Sequence, residues 1–123
     1  MKHLSIVVTL AALALFSASA HSAPRISIRV SPAVAMAPAV ITIKTTIEPS
    51  DDNRALAIVI DSATYHRSTE IPLEGRSAPR VSILEIRDVP PGLHEVRAVL
   101  VGSTGRLANT TQLVKVEAGP GTR

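Results

Sequence analysis

Residues 88–106 read DVPPGLHEVRAVLVGSTGR. Pro91 and Gly92 fit the second and third positions of a type II turn, whose third residue must tolerate positive φ. After this stiff corner, Val96, Ala98 and Leu100 alternate with Glu95 and Arg97. A two-residue period is the mark of a strand with one face buried. Gly102-Ser103-Thr104-Gly105 then reverses the chain. His94 falls in the inward register, which reads as a buried or half-buried imidazole bonded to backbone.

The same period extends to both sides. Ile26, Ile28 and Val30 share one face of a first strand, closed by Pro32. Residues 33–39 read as a proline-broken link. Ile41, Ile43 and Ile47 face inward, with Lys44, Thr46 and Glu48 outward. Pro49-Ser50-Asp51-Asp52-Asn53 is a turn by composition. Leu56, Ile58 and Ile60 form a third row, and Ala57 and Val59 opposite them suggest a strand covered on both sides. Residues 64–73 are polar and contain Pro72, which reads as an edge strand or an extended loop. A loop around Gly75 leads to residues 81–87, with Leu84 and Ile86 inward. The last strand runs from Leu107 to Glu117, with a bulge expected between Asn109 and Gln112. These elements predict an all-β, immunoglobulin-like Greek-key sandwich of about seven antiparallel strands. With no cysteine there is no disulfide, so burial of aliphatic side chains must hold it together.

The first twenty residues read differently. Lys2 precedes a short apolar run from Leu4 to Phe16, and Ala18-Ser19-Ala20 supplies a small-x-small cleavage pattern. That is a signal peptide, residues 1–20, too short in its apolar part for a membrane span. The expected layout continues with a linker at 21–24, the sandwich at 25–118 and a flexible tail at 119–123. The product is expected in the periplasm or secreted, without membrane insertion of the mature chain.

Composition narrows the partners. Across the chain, 13 Lys and Arg face 10 Asp and Glu. The arginines are scattered in sequence, without the stripe a nucleic-acid footprint needs. Tyr65 is the one aromatic residue outside the leader, since Phe16 lies within it and there is no Trp. Stacking platforms for single-stranded nucleic acid are therefore missing.

The stretch DVPPGLHEVRAVLVGSTGRLANTTQLVKVE, residues 88–117, resembles the last two strands of bacterial immunoglobulin-like and fibronectin type III-like modules. They share a Pro-Pro-Gly turn, an alternating strand, a glycine hairpin and a closing Val-x-Val. The resemblance implies a corner tyrosine where this chain has His94, and with it a corner hydrogen bond that no tyrosine is there to make. The whole chain also resembles small exported bacterial proteins.

Few residues carry chemistry. Tyr65, His66 and Arg67 bring a ring, an imidazole and a guanidinium together on the polar edge segment, and they are the candidate partner-binding residues. The expected partner is another protein, taken by strand addition at a free sheet edge. His21 becomes the mature N-terminus if cleavage follows Ala20, and its amine and imidazole suit copper. Small periplasmic copper-binding sandwiches are similar in size and in that histidine. The resemblance implies further His and Asp ligands on a late loop, and residues 102–106 have neither. Asp51-Asp52-Asn53 reads as a turn, because calcium wants six or more ligands. Ser103 lacks a nucleophile-elbow context. No cofactor, metal site or catalytic residue is expected. The sequence points to an exported non-catalytic immunoglobulin-like module for protein interaction or structural support in the cell envelope, with copper binding through His21 as the alternative.

Overall fold

Alternation sorts the side chains. In the strand Ala39–Ile47, positions 39, 41, 43, 45 and 47 are buried, and Val40, Lys44 and their neighbours lie on the other face. A computed structural model describes residues 25–119. The expected leader at 1–20, the expected linker at 21–24 and residues 120–123 of the expected tail at 119–123 lie outside the described residues.

Eight strands follow in chain order: β1 Ile26–Ser31, β2 Val34–Met36, β3 Ala39–Ile47, β4 Ala55–Asp61, β5 His66–Pro72, β6 Val81–Val89, β7 Gly92–Gly102 and β8 Gly105–Glu117. A single 3-10 turn, Gly75–Ser77, is the helical element among the described residues. The strands form a three-stranded sheet, β1-β3-β6, and a five-stranded sheet, β2-β8-β7-β4-β5. Ile41, Ile43 and Ile86 from the first meet Leu56, Val96, Leu100 and Val114 from the second, each at most 1 % exposed. Burying such side chains contributes about 1.5–3 kcal/mol apiece.

Four details depart from the expectation. The link at 33–39 contains β2, so eight strands replace about seven. β2 pairs β8 in parallel, over Val34–Met36 against Lys115–Glu117, so the pairing is not wholly antiparallel. The bulge sits at Leu107, where Leu100 pairs Ala108 and Val101 pairs Arg106, and not between Asn109 and Gln112. The Pro-Pro-Gly corner carries the chain from β6 in one sheet to β7 in the other. Gly92 there has φ 147, a value glycine tolerates, but well beyond the type II turn's usual +80. The edge reading of residues 64–73 matches the position of β5, whose one ladder partner is β4.

Gln112 joins the sheets. Its Oε1 accepts the Val30 N–H at 3.1 Å and its Nε2 donates to the Val30 carbonyl at 3.1 Å. The side-chain amide thus replaces a neighbouring strand's peptide group at the edge of β1. Gln112→Ala strips both Val30 groups of these partners and is expected to cost about 1–2 kcal/mol. Thermal denaturation checks this: about 4–8 °C is lost per kcal/mol in a domain of this size.

Candidate functional site

β7 runs between β8 and β4, and His94 lies near its start on the inner face, opposite Val114 of β8 and one residue past the last β4 pair, Asp61 with Glu95. His94 is 0 % exposed. Its Nε2 lies 2.8 Å from the Pro90 carbonyl. A carbonyl only accepts, so Nε2 carries the hydrogen. Histidine therefore makes a corner bond back across the Pro-Pro-Gly turn, although no tyrosine is present to do so. Nδ1 is buried without a hydrogen-bond partner. Tyr65 stands edge-on to the imidazole, with ring centroids 5.7 Å apart.

The three candidate partner-binding residues are adjacent in sequence but differently placed. Tyr65 is half-buried and packs on the core. His66 lies on the outer face, 3.3 Å from Asp61 Oδ1, with both side chains mostly exposed. Arg67 pairs with Ile60, in the opposite register, and is exposed. The segment therefore presents His66 and Arg67 to solvent and uses Tyr65 to hold the strand down.

The turn at 51–53 is a structural hub. Asn53 is buried and its Nδ2 donates to the Glu48 carbonyl at 2.9 Å. Asp51 bonds Arg76. Asp52 accepts from the Ser103 hydroxyl at 2.6 Å and the Ser103 N–H at 3.1 Å. The bond from the hydroxyl, then that from the N–H, hold its carboxyl below the usual aspartate value of 3.8, with Arg54 and Arg25 adding and burial opposing. A depressed carboxylate lends stability above its unfolded pKa, and that stability is lost as pH falls through the folded one. Asp52→Asn is therefore expected to show a shallower loss of stability below about pH 4 than the parent, read by acid titration of the unfolding midpoint.

The outer face of the three-stranded sheet holds the arrangement that sequence reading missed. β1 and β3 pair so that Arg29 stands directly opposite Lys44, with Ser27 opposite Thr46 in the next outward row. Directly opposed positions have Cβ atoms about 4.5–5.5 Å apart, and like charges there destabilise a sheet. Arg29 and Lys44 take part in none of the ion pairs among the described residues. The carboxylate nearest by register, Glu85, is held by Arg87 at 2.6 Å. A solvent-open cavity of about 400 Å³ is lined by Ser27, Ile28, Arg29, Lys44 and Thr46. Two unpaired cations and two hydroxyls thus share one rim. The outward alternation of each strand is visible in sequence, but the pairing of residue 29 with 44 requires the register.

No protein-family model matches the chain. No curated protein matches it in sequence. Among solved structures, superoxide reductase (neelaredoxin) from Ignicoccus hospitalis superposes with a TM-score of 0.61 at 12 % identity, over 75 % of this chain and 80 % of that one. Two single-substitution variants of the same reductase superpose at 0.63 and 0.61, with 12 % and 13 % identity, over 76 % and 85 % of this chain and 81 % and 86 % of theirs. The likeness is one of fold. It corrects the expectation of a non-catalytic immunoglobulin-like contact module, since these chains are reductases by name. His21 itself lies outside the described residues.

A reductase needs an electron carrier. The chain has no cysteine. Among the described residues no three His, Cys, Asp or Glu side chains are grouped to hold a metal ion. This donor set does not fit a resident redox metal, and no reduction step is assigned to these residues.

Proposed function

We propose that the chain binds an oxyanion group, phosphate or sulfate, on the outer face of its three-stranded sheet. One observation carries this: Arg29 and Lys44 are directly opposed over an open cavity and lack acidic partners among the described residues. An anion between them turns a repulsive pair into two attractive contacts. The Arg29 fork suits two oxygens of one group, Lys44 adds a point charge, and the Ser27 and Thr46 hydroxyls donate to what remains. Isothermal titration with inorganic phosphate at low salt is expected to give a Kd of about 1 mM or tighter. Arg29→Gln and Lys44→Gln each weaken it, and the pair abolishes it. Rising ionic strength weakens it too, because both cations are exposed. Vesicles of phosphatidylcholine with and without phosphatidylglycerol separate a lipid headgroup from a free anion. Phosphate binding that is equal in the parent and the double variant overturns the proposal.

The β5 edge supports a second site, for another protein. One side of β5 is unpaired, so an extended chain has backbone groups to meet there, with His66 and Arg67 beside them and Tyr65 at the strand's start. A co-purifying protein that is retained by His66→Ala/Arg67→Ala counts against this edge. For the fold, the order β1-β3-β6 against β8-β7-β4-β5, with β2 crossing to β8, favours the immunoglobulin-like Greek key. Export to the periplasm or medium rests on the 1–20 leader. Among the described residues no helix is long and apolar enough to cross a membrane. Mass spectrometry of the processed chain is expected to find His21 first.

A further inference from the structure

The two opposed cations have apolar neighbours on the same face. β3 lies between β1 and β6, so its register fixes what stands on either side of each residue. Lys44 pairs Arg29 on β1 and Ile83 on β6. Thr46 likewise pairs Ser27 and Val81. Directly opposed side chains share a face of the sheet, and adjacent strands lie about 4.8 Å apart. One row therefore runs cation, cation, aliphatic, and the next runs hydroxyl, hydroxyl, aliphatic. Ile83 is 69 % exposed and Val81 43 %.

This order of groups selects a ligand. A free phosphate over Arg29 and Lys44 leaves both aliphatic side chains in water. A ligand that satisfies the whole row carries an oxyanion and hydrocarbon within about 10 Å of each other, two strand spacings. A phospholipid does, and its bilayer surface is as broad as the outer face of a sheet. The carboxylates on this face do not oppose it. Glu85, in the row of Thr42, is held by Arg87. Glu48 lies four residues along the chain from Lys44, or about 13 Å.

The larger sheet offers a contrast. Its outer face exposes Leu93 and Leu113, at 61 % and 57 %. The charges opposite them are already matched: Lys115 with Glu117, and Glu95 with Arg97. Aliphatic groups there have no unpaired cation beside them.

We propose that the outer face of the three-stranded sheet docks on an anionic phospholipid surface, an inference that rests on the anion site above. A lipid phosphate lies between Arg29 and Lys44, the Ser27 and Thr46 hydroxyls donate to its remaining oxygens, and Val81 and Ile83 enter the boundary between headgroups and acyl chains. The contact is peripheral and made by side chains. It is weak and salt-sensitive, since each cation near an anionic surface contributes about fivefold in affinity and each buried methylene about fourfold.

Vesicle flotation run beside the phosphate titration tests this. The parent is expected to bind phosphatidylcholine vesicles containing phosphatidylglycerol about tenfold or more tightly than phosphatidylcholine alone, and to lose the difference as salt rises. Val81→Ser/Ile83→Ser weakens vesicle binding about tenfold and leaves the phosphate Kd unchanged. Leu93→Ser/Leu113→Ser, on the other sheet, changes neither. A parent that binds phosphate but not the mixed vesicles overturns the lipid proposal and leaves the anion site standing. So does vesicle binding that is indifferent to Val81→Ser/Ile83→Ser, or equally weakened by Leu93→Ser/Leu113→Ser. Self-association of the parent that Val81→Ser/Ile83→Ser abolishes, without vesicle binding, gives the face to a second copy and overturns it too. Phosphate binding indifferent to Arg29→Gln/Lys44→Gln overturns both readings.

Discussion

His94→Ala is expected to destabilise the protein by about 3 kcal/mol or more, one of the two largest single-residue effects in the chain. Three losses add up. A fully buried ring leaves a cavity, the Pro90 carbonyl loses its donor, and Tyr65 loses the ring it stands against. At about 4–8 °C per kcal/mol, the melting point falls by about 12–24 °C. His94→Phe separates the terms. It fills the site with a somewhat larger ring and leaves Pro90 unpaired, so it is expected to cost about 1–3 kcal/mol. A melting point unchanged in His94→Ala contradicts the assignment of this imidazole as the lock on the corner.

Gly75→Val is expected to be comparably severe, at about 3 kcal/mol. Gly75 is buried and has φ 60, the left-handed region that β-branched residues avoid. A Cβ built there lies 3.0 Å from the Asp51 carbonyl oxygen, and that oxygen belongs to the backbone. The Gly75 N–H also donates to the Asn53 carbonyl at 2.9 Å. The substitution therefore presses on the turn that organises one end of the sandwich. Chemical denaturation reads the loss as a lower midpoint. Gly105→Ala is a control, since a Cβ there meets nothing within 4 Å and only its φ of 126 is strained.

The rows of aliphatic residues were legible because period-two burial is a local property of the chain. Ile26 and Val30, Ile41 to Ile47, and Val96 to Leu100 are buried as their spacing requires. His94 was legible for the same reason. β2 was not: Val34–Met36 lies between two prolines, is partly exposed, and exists as a strand through its pairing with β8. The Leu107 bulge was misplaced because register depends on the partner strand. Tyr65 shows the limit of grouping by sequence, since its neighbour His66 faces solvent while its own ring packs on His94. Arg29 and Lys44 looked like ordinary surface charges fifteen positions apart. Only the β1–β3 register makes them a pair, and opposed like charges on adjacent strands are what a local reading cannot reveal.

The most direct test is an amide NMR titration of the protein with inorganic phosphate. The account predicts saturable shifts at Ser27, Arg29, Lys44 and Thr46, with β5 from His66 to Pro72 unmoved. Shifts confined to another surface, or no saturable shift at all, contradict it.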